Sequence, residues 1–251
     1  MDFTGKVAIV TGGGRNVGQA VARRFVAEGA KVAVVDLDPG RGKATAAELE
    51  GTRAGFAQFF QCDVSSEPDV ERMMREVVRA FGGVDVLVNN VAITDRGKTV
   101  LDCTLEEWHR VFAVTVDSVF LCTKHAGRQM VEQGRGGAVV NIGSTSGLRG
   151  RKNVIAYAAA KGAVVNLTRA LAAQLGPHGI RVNTVTPHRV GSPIGQDEAP
   201  AGRQRNTLLG RECVPEDLAN AVAFMASDEA GFVTAADLPV DAGELYAGPR
   251  E

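Results

Sequence analysis

Tyr157 and Lys161 stand four residues apart, in a stretch whose pattern predicts a helix over about 153–175, so a phenol and an amine share one face about a turn apart. A nearby ammonium favours phenolate and lowers a pKa that is normally about 10, bringing tyrosine toward the range useful for proton transfer near neutrality. The spacing alone is a weak signal, because a packing Tyr beside an incidental Lys reads the same way. Ser144 adds to it. It follows a predicted strand, near the carboxyl edge of the sheet where open α/β folds bind ligands, and its hydroxyl can steady a substrate oxygen.

A second group lies near the N-terminus. Thr11, Gly12, Gly13, Gly14, Arg15, Asn16, Val17 and Gly18 follow an apolar run and open a helical pattern, where backbone N–H groups and the helix dipole favour a pyrophosphate. Asp36 ends the next predicted strand, where a carboxylate can accept hydrogen bonds from adenosine ribose hydroxyls and repel a 2′-phosphate. A nicotinamide dinucleotide site is expected, NAD in preference to NADP. Arg15 argues the other way, since a guanidinium there could reach a 2′-phosphate or could simply be a solvated loop charge. The plainer alternative is a tight glycine turn with Asp36 capping the next segment.

The elements that must position these groups alternate. Short β-branched runs at 7–10, 32–35, 56–60, 84–88, 138–142 and 180–185 are separated by helical patterns at about 17–28, 41–50, 67–81, 104–133, 153–175 and 215–227. Alternation of this kind predicts βα units around a parallel sheet, and continuously apolar runs predict strands covered on both faces. No linker, composition shift or repeat divides the chain, so one domain spanning 1–251 is expected. The 153–175 helix is apolar nearly all round, so both its flanks need cover, from a neighbour such as 104–133 or from a second subunit.

Composition narrows the classes. The 251 residues are 45% hydrophobic and 23% charged with a net charge of -1, which argues against disorder and against a nucleic-acid or anionic-membrane partner. Cys62, Cys103, Cys122 and Cys213 are scattered, without CxxC or metal-ligand spacing, so no metal site is signalled and a reducing cytoplasm is expected. No signal peptide or membrane span is predicted.

Together the motifs resemble the short-chain dehydrogenase/reductase family over essentially the whole chain. The glycine turn resembles the family's TGxxxGxG, Asp63-Val64 its adenine-contacting pair, and Asn89-Asn90 the start of its NNAG segment. Ser144, Tyr157 and Lys161 fall in the order of its catalytic Ser, Tyr and Lys, while Pro187 and Val190 to Pro193, with Ser192 among them, are similar to the segment that holds the nicotinamide. The resemblance implies a doubly wound Rossmann-like fold with a seven-stranded parallel sheet, a homodimer or homotetramer, and reversible oxidation of an alcohol to a carbonyl. It also implies a substrate lid at about 191–213.

Five positions depart from that pattern. Asn16 and Ala235 replace glycines, Val91-Ala92 replace Ala-Gly, His188 follows Pro187 where Gly is usual, and Thr115 stands where the family has a catalytic Asn that helps to hold a water path to the active-site Lys, a role the Thr hydroxyl can still fill by binding water. Asn tolerates positive φ, so Asn16 is expected to keep the turn. His188 could face the nicotinamide or the substrate, but no acidic partner can be assigned to it, and a packing or solvated loop His is the favoured reading. The lid holds mostly polar residues, which points to a small or polar secondary alcohol or ketone, and Ala92, Ile93 and Thr94 are expected near the pocket. The alternative reading is a cofactor-binding scaffold or sensor with lost or altered redox chemistry. The intact Ser144, Tyr157 and Lys161 count against it.

Overall fold

Strands that bury both faces read as unbroken apolar runs, and here those runs form the middle of a sheet. The structure is a computed structural model that describes residues 1–190 and 207–247. Among these residues seven strands pair in parallel, in the order β3-β2-β1-β4-β5-β6-β7. They are β1 (Val7–Thr11), β2 (Lys31–Asp36), β3 (Ala57–Gln61), β4 (Val86–Asn89), β5 (Gly137–Ile142), β6 (Ile180–Pro187) and β7 (Asp237–Val240). The connecting helices are α1 (Asn16–Ala27), α2 (Pro39–Thr52), α3 (Glu67–Phe81), α4 (Leu105–Phe112), α5 (Ser118–Gln133), α6 (Ile155–Leu175) and α7 (Pro215–Ala226).

Successive strand residues point to opposite faces, so β1 sends Ala8 and Val10 into one core and Val7 and Ile9 into the other. The first core joins the sheet to α1, α2 and α7 through residues such as Phe25, Leu49 and Leu218. The second joins it to α3, α5 and α6 through Met73, Met130 and Leu171. The strand order reverses between β1 and β4, and the crevice at their carboxyl ends is where a doubly wound sheet takes its ligand.

Four local features differ from the pattern reading. The expected single helix over 104–133 is α4 and α5 joined by a π-helical segment, Ala113–Asp117, which carries Thr115. Helix α6 starts two residues later than expected, because Val154 has left-handed backbone, φ 59°, a conformation costly for a β-branched residue. Helix α2 starts earlier, with the Asp38 carboxylate accepting from Gly40 and Arg41 N–H and Pro39 in the first turn. Strand β7, DLPV, lacks the apolar signature of the others because it is a half-buried edge strand containing Pro239. Of the expected lid, residues 191–206, Ser192 included, lie outside the described residues. A parallel bridge between Val190 and Cys213 joins the chain on its two sides.

Candidate active site

The glycine turn is shaped by backbone contacts. Gly12 has φ 62°, and a Cβ at Gly18 would collide with the Gly12 carbonyl oxygen. A Cβ at Gly14 would stand 2.7 Å from Asp36 Oδ2, and instead Gly14 N–H donates to that oxygen at 2.9 Å while Asp38 N–H donates to Oδ1 at 3.0 Å. The carboxylate expected at the end of β2 is thus held against the turn. Asn16 adopts φ 48° at the start of α1, so it keeps the left-handed geometry that glycine would supply, and Ala235 does the same with φ 60°.

Asn90 ties this turn to β4: its Nδ2 donates to Thr11 O at 3.0 Å and to Gly12 O at 3.3 Å, and its N–H donates to Thr11 Oγ1 at 3.0 Å. Asp63 Oδ1 accepts from Ser65 N–H at 2.9 Å and from Ser65 Oγ at 2.6 Å. Gly12, Asp63, Ser65 and Asn90 share one cleft of about 990 Å³ with Arg15, Asn16, Val17, Asp36, Val64, Ser144, Tyr157, Lys161 and Val190. The narrow glycine turn at the head of α1, with a carboxylate at the end of β2, fits a dinucleotide.

At the other end of the cleft Ser144, Tyr157 and Lys161 are 4%, 7% and 3% exposed. Burial pushes the Tyr157 phenol up to about 12, against the pull of a hydrogen bond with Ser144 and of the Arg151 charge. Burial also brings Lys161 down to about 7. Its Nζ donates to Ile142 O at 2.6 Å and lies 5.9 Å from the centroid of the Tyr157 ring. Burial dominates both groups: phenol and amine are desolvated together, and the amine donates to a strand carbonyl.

Thr115 is fully buried, and its Oγ1 accepts from Ile93 N–H at 3.3 Å. It is not among the residues lining the cleft, whereas Ala92, Ile93, Ala113 and Val114 are.

The structure brings in Asp95 and Glu244, which pattern reading passed over. Asp95, 5% exposed, accepts from Ala156 N–H at 2.9 Å, supplying from the loop after β4 the cap that Val154 does not provide for α6. The absence of Ser, Thr, Asp or Asn immediately before Ile155 was the available signal. His188 lines the cleft, with Nδ1 3.0 Å from Thr145 Oγ1 and Nε2 3.9 Å from Glu244, so it does have an acidic neighbour. Burial nonetheless lowers its pKa. No group of His, Cys, Asp and Glu among the described residues is arranged to hold a metal ion, and no helix among them is long and apolar enough to cross a membrane.

Comparison with known proteins agrees with this architecture. The family model described as "Enoyl-(Acyl carrier protein) reductase" matches residues 12–244. The chain is 40% identical over 246 residues to meso-2,3-butanediol dehydrogenase of Serratia marcescens, covering 97% of this chain and 96% of that one. It is 39% identical over 251 residues to a (+)-cis,cis-nepetalactol synthase of Nepeta racemosa, covering 96% and 92%. The crystal structure of a short-chain type dehydrogenase/reductase from Mycobacterium marinum superposes with a TM-score of 0.90 at 33% identity, over 98% of this chain and 97% of that one. The chain belongs to the short-chain dehydrogenase/reductase family. It is an oxidoreductase of the class that acts on alcohols and carbonyl compounds, and such a dehydrogenase works with a nicotinamide cofactor.

Proposed function

We propose that the protein interconverts a secondary alcohol and its ketone with NAD(H), Tyr157 being the general acid/base. The observation that carries the reading is the gathering of Ser144, Tyr157 and Lys161 in the same cleft as the glycine turn and Asp36. In oxidation, the Ser144 hydroxyl and the Tyr157 oxygen hold the alcohol oxygen, and Tyr157, as phenolate, takes the hydroxyl proton. The bound nicotinamide supplies the hydride acceptor. In reduction the phenol returns the proton to the carbonyl oxygen. Lys161 is poised to gain a proton near pH 7, and once charged it draws the phenol down from its buried value. The same amine is read as a ribose ligand.

Asp36 supports NAD over NADP, since its fixed carboxylate repels a 2′-phosphate. Gly12, Gly14, Arg15, Asn16, Val17, Gly18, Asp63, Val64, Asn90 and Val190 are read as cofactor contacts, with Ser192 completing the set outside the described residues. Thr115 is read as supporting the site by holding Ile93. A homodimer or homotetramer is supported by α6, where Asn166, Arg169, Ala170 and Ala173 stay exposed within the chain, and by α5, which exposes Phe120. Four free cysteines support a cytoplasmic location.

A second reading, altered chemistry on the same fold, is favoured by one observation, the similarity to a protein named as a synthase. A panel of secondary alcohols and ketones followed by NADH absorbance separates the two. Turnover with NAD(H), and weaker turnover with NADP(H), is the expected result. Absence of turnover from a protein that binds NADH would favour the second reading.

A further inference from the structure

The loops that follow β5 and β6 carry four basic side chains, Arg149, Arg151, His188 and Arg189; His188 lines the catalytic cleft, and Arg149 shares Glu244 with it. The carboxylate facing them among the described residues is Glu244, and it is taken by Arg149 at 2.9 Å. Arg151 is half-buried and, among the described residues, makes no hydrogen bond or ion pair. Its charge acts on Tyr157, and Arg149 and Arg189 act on it, while burial holds its pKa below the ordinary range. A partly desolvated guanidinium among like charges is costly unless an anion meets it.

His188 adds a directed donor. With Thr145 Oγ1 at 3.0 Å from Nδ1, donation by the hydroxyl leaves the proton on Nε2. That nitrogen is 3.9 Å from Glu244, beyond hydrogen-bond length. No buried side-chain nitrogen or oxygen among the described residues lacks a partner, so Nε2 opens onto accessible space. Because the whole chain has a net charge of -1, this basic lip is a local arrangement.

We propose that the substrate alcohol carries an anionic group, a carboxylate, phosphonate or sulfonate, and that Arg151 and the Nε2–H of His188 receive it beside the reacting centre. The proposal rests on the dehydrogenase reading above and names its substrate class. Arg151 offers paired N–H donors suited to any of these oxyanions, and Arg189 adds charge at the rim.

The test compares matched secondary alcohols with saturating NAD: 3-hydroxybutyrate, 2-hydroxypropylphosphonate and 2-hydroxypropanesulfonate against uncharged 2-butanol and 2-pentanol. In parallel, the three anions are titrated calorimetrically into the protein saturated with NADH, which cannot turn the alcohols over. At least one anion should exceed its uncharged match in kcat/KM by about ten-fold or more, the size of a charge-assisted hydrogen bond. Arg151→Gln should shrink that ratio by about ten-fold, and added salt should erode it in the unmodified protein. Equal or better turnover of the uncharged alcohols, with no anion binding, overturns the proposal. Anion binding lost in Arg151→Gln, without turnover of any alcohol, keeps the anion site and removes the dehydrogenase reading. Neither binding nor turnover removes both.

Discussion

The two ends of the cleft are built differently. The cofactor end consists of backbone: a turn whose glycines are dictated by clashes at Gly14 and Gly18, with one carboxylate, Asp36, fixed by two peptide N–H groups. The catalytic end consists of side chains gathered from the end of β5, the start of α6, the end of β6, the loop after β4 and the C-terminal turn at Glu244. Local sequence therefore specifies the first end almost alone. The second depends on burial and long-range placement, and burial sets its chemistry by moving Tyr157 and Lys161 in opposite directions.

The sharpest contrast between the ends is with pH. With the phenol raised to about 12 by burial, the phenolate needed for oxidation becomes more abundant as pH rises. Alcohol oxidation should climb above pH 7 by up to about ten-fold per unit, as for one titrating proton, while ketone reduction, which needs the neutral phenol, should fall only at higher pH. Steady-state kcat profiles in both directions check this, and the preference for NADH over NADPH, set at the other end of the cleft, should stay flat over the same range.

At the cofactor end, Asp36→Ala should weaken NADH binding by about ten-fold and narrow its advantage over NADPH, the loss of a charge-assisted hydrogen-bond site. Fluorescence titration with each cofactor measures it. Equal binding of NADPH by the unmodified protein would instead give Arg15 the larger role.

Asp95→Ala tests how the catalytic end is held. Losing its bond to Ala156 N–H leaves the head of α6 uncapped and should cost about 1–3 kcal/mol of stability. The kcat should fall because Tyr157 is the next residue, and NADH affinity should change little. Thermal denaturation and kinetics on one preparation read both effects.

The smallest effect is expected away from both ends. Ala235 has φ 60°, a conformation that costs a non-glycine residue about 1 kcal/mol. Ala235→Gly should recover roughly that amount in chemical denaturation, with kinetics unchanged.

The order of strands and helices was legible because central strands are apolar on both faces, and the glycine turn and Asp36 because their contacts are local. Edge strand β7 was not, since Asp237 and Pro239 hide its pattern. Nor was the π-helical segment that buries Thr115, which no local residue type announces. Tyr157, Lys161 and Ser144 were found by spacing, but the direction of their titration followed from burial that spacing does not encode. The partners of His188 and of the α6 head, Glu244 and Asp95, come from distant loops, so only the folded chain reveals them.

The central claim is that Tyr157 moves the proton in a working alcohol dehydrogenase site. Its most direct test is Tyr157→Phe, measured for kcat on the best alcohol and for NADH dissociation constant on the same preparation. The account predicts a kcat loss of about a thousand-fold, within the range of general acid/base catalysis, with NADH affinity retained because the ring remains. Substantial residual turnover in Tyr157→Phe would contradict it.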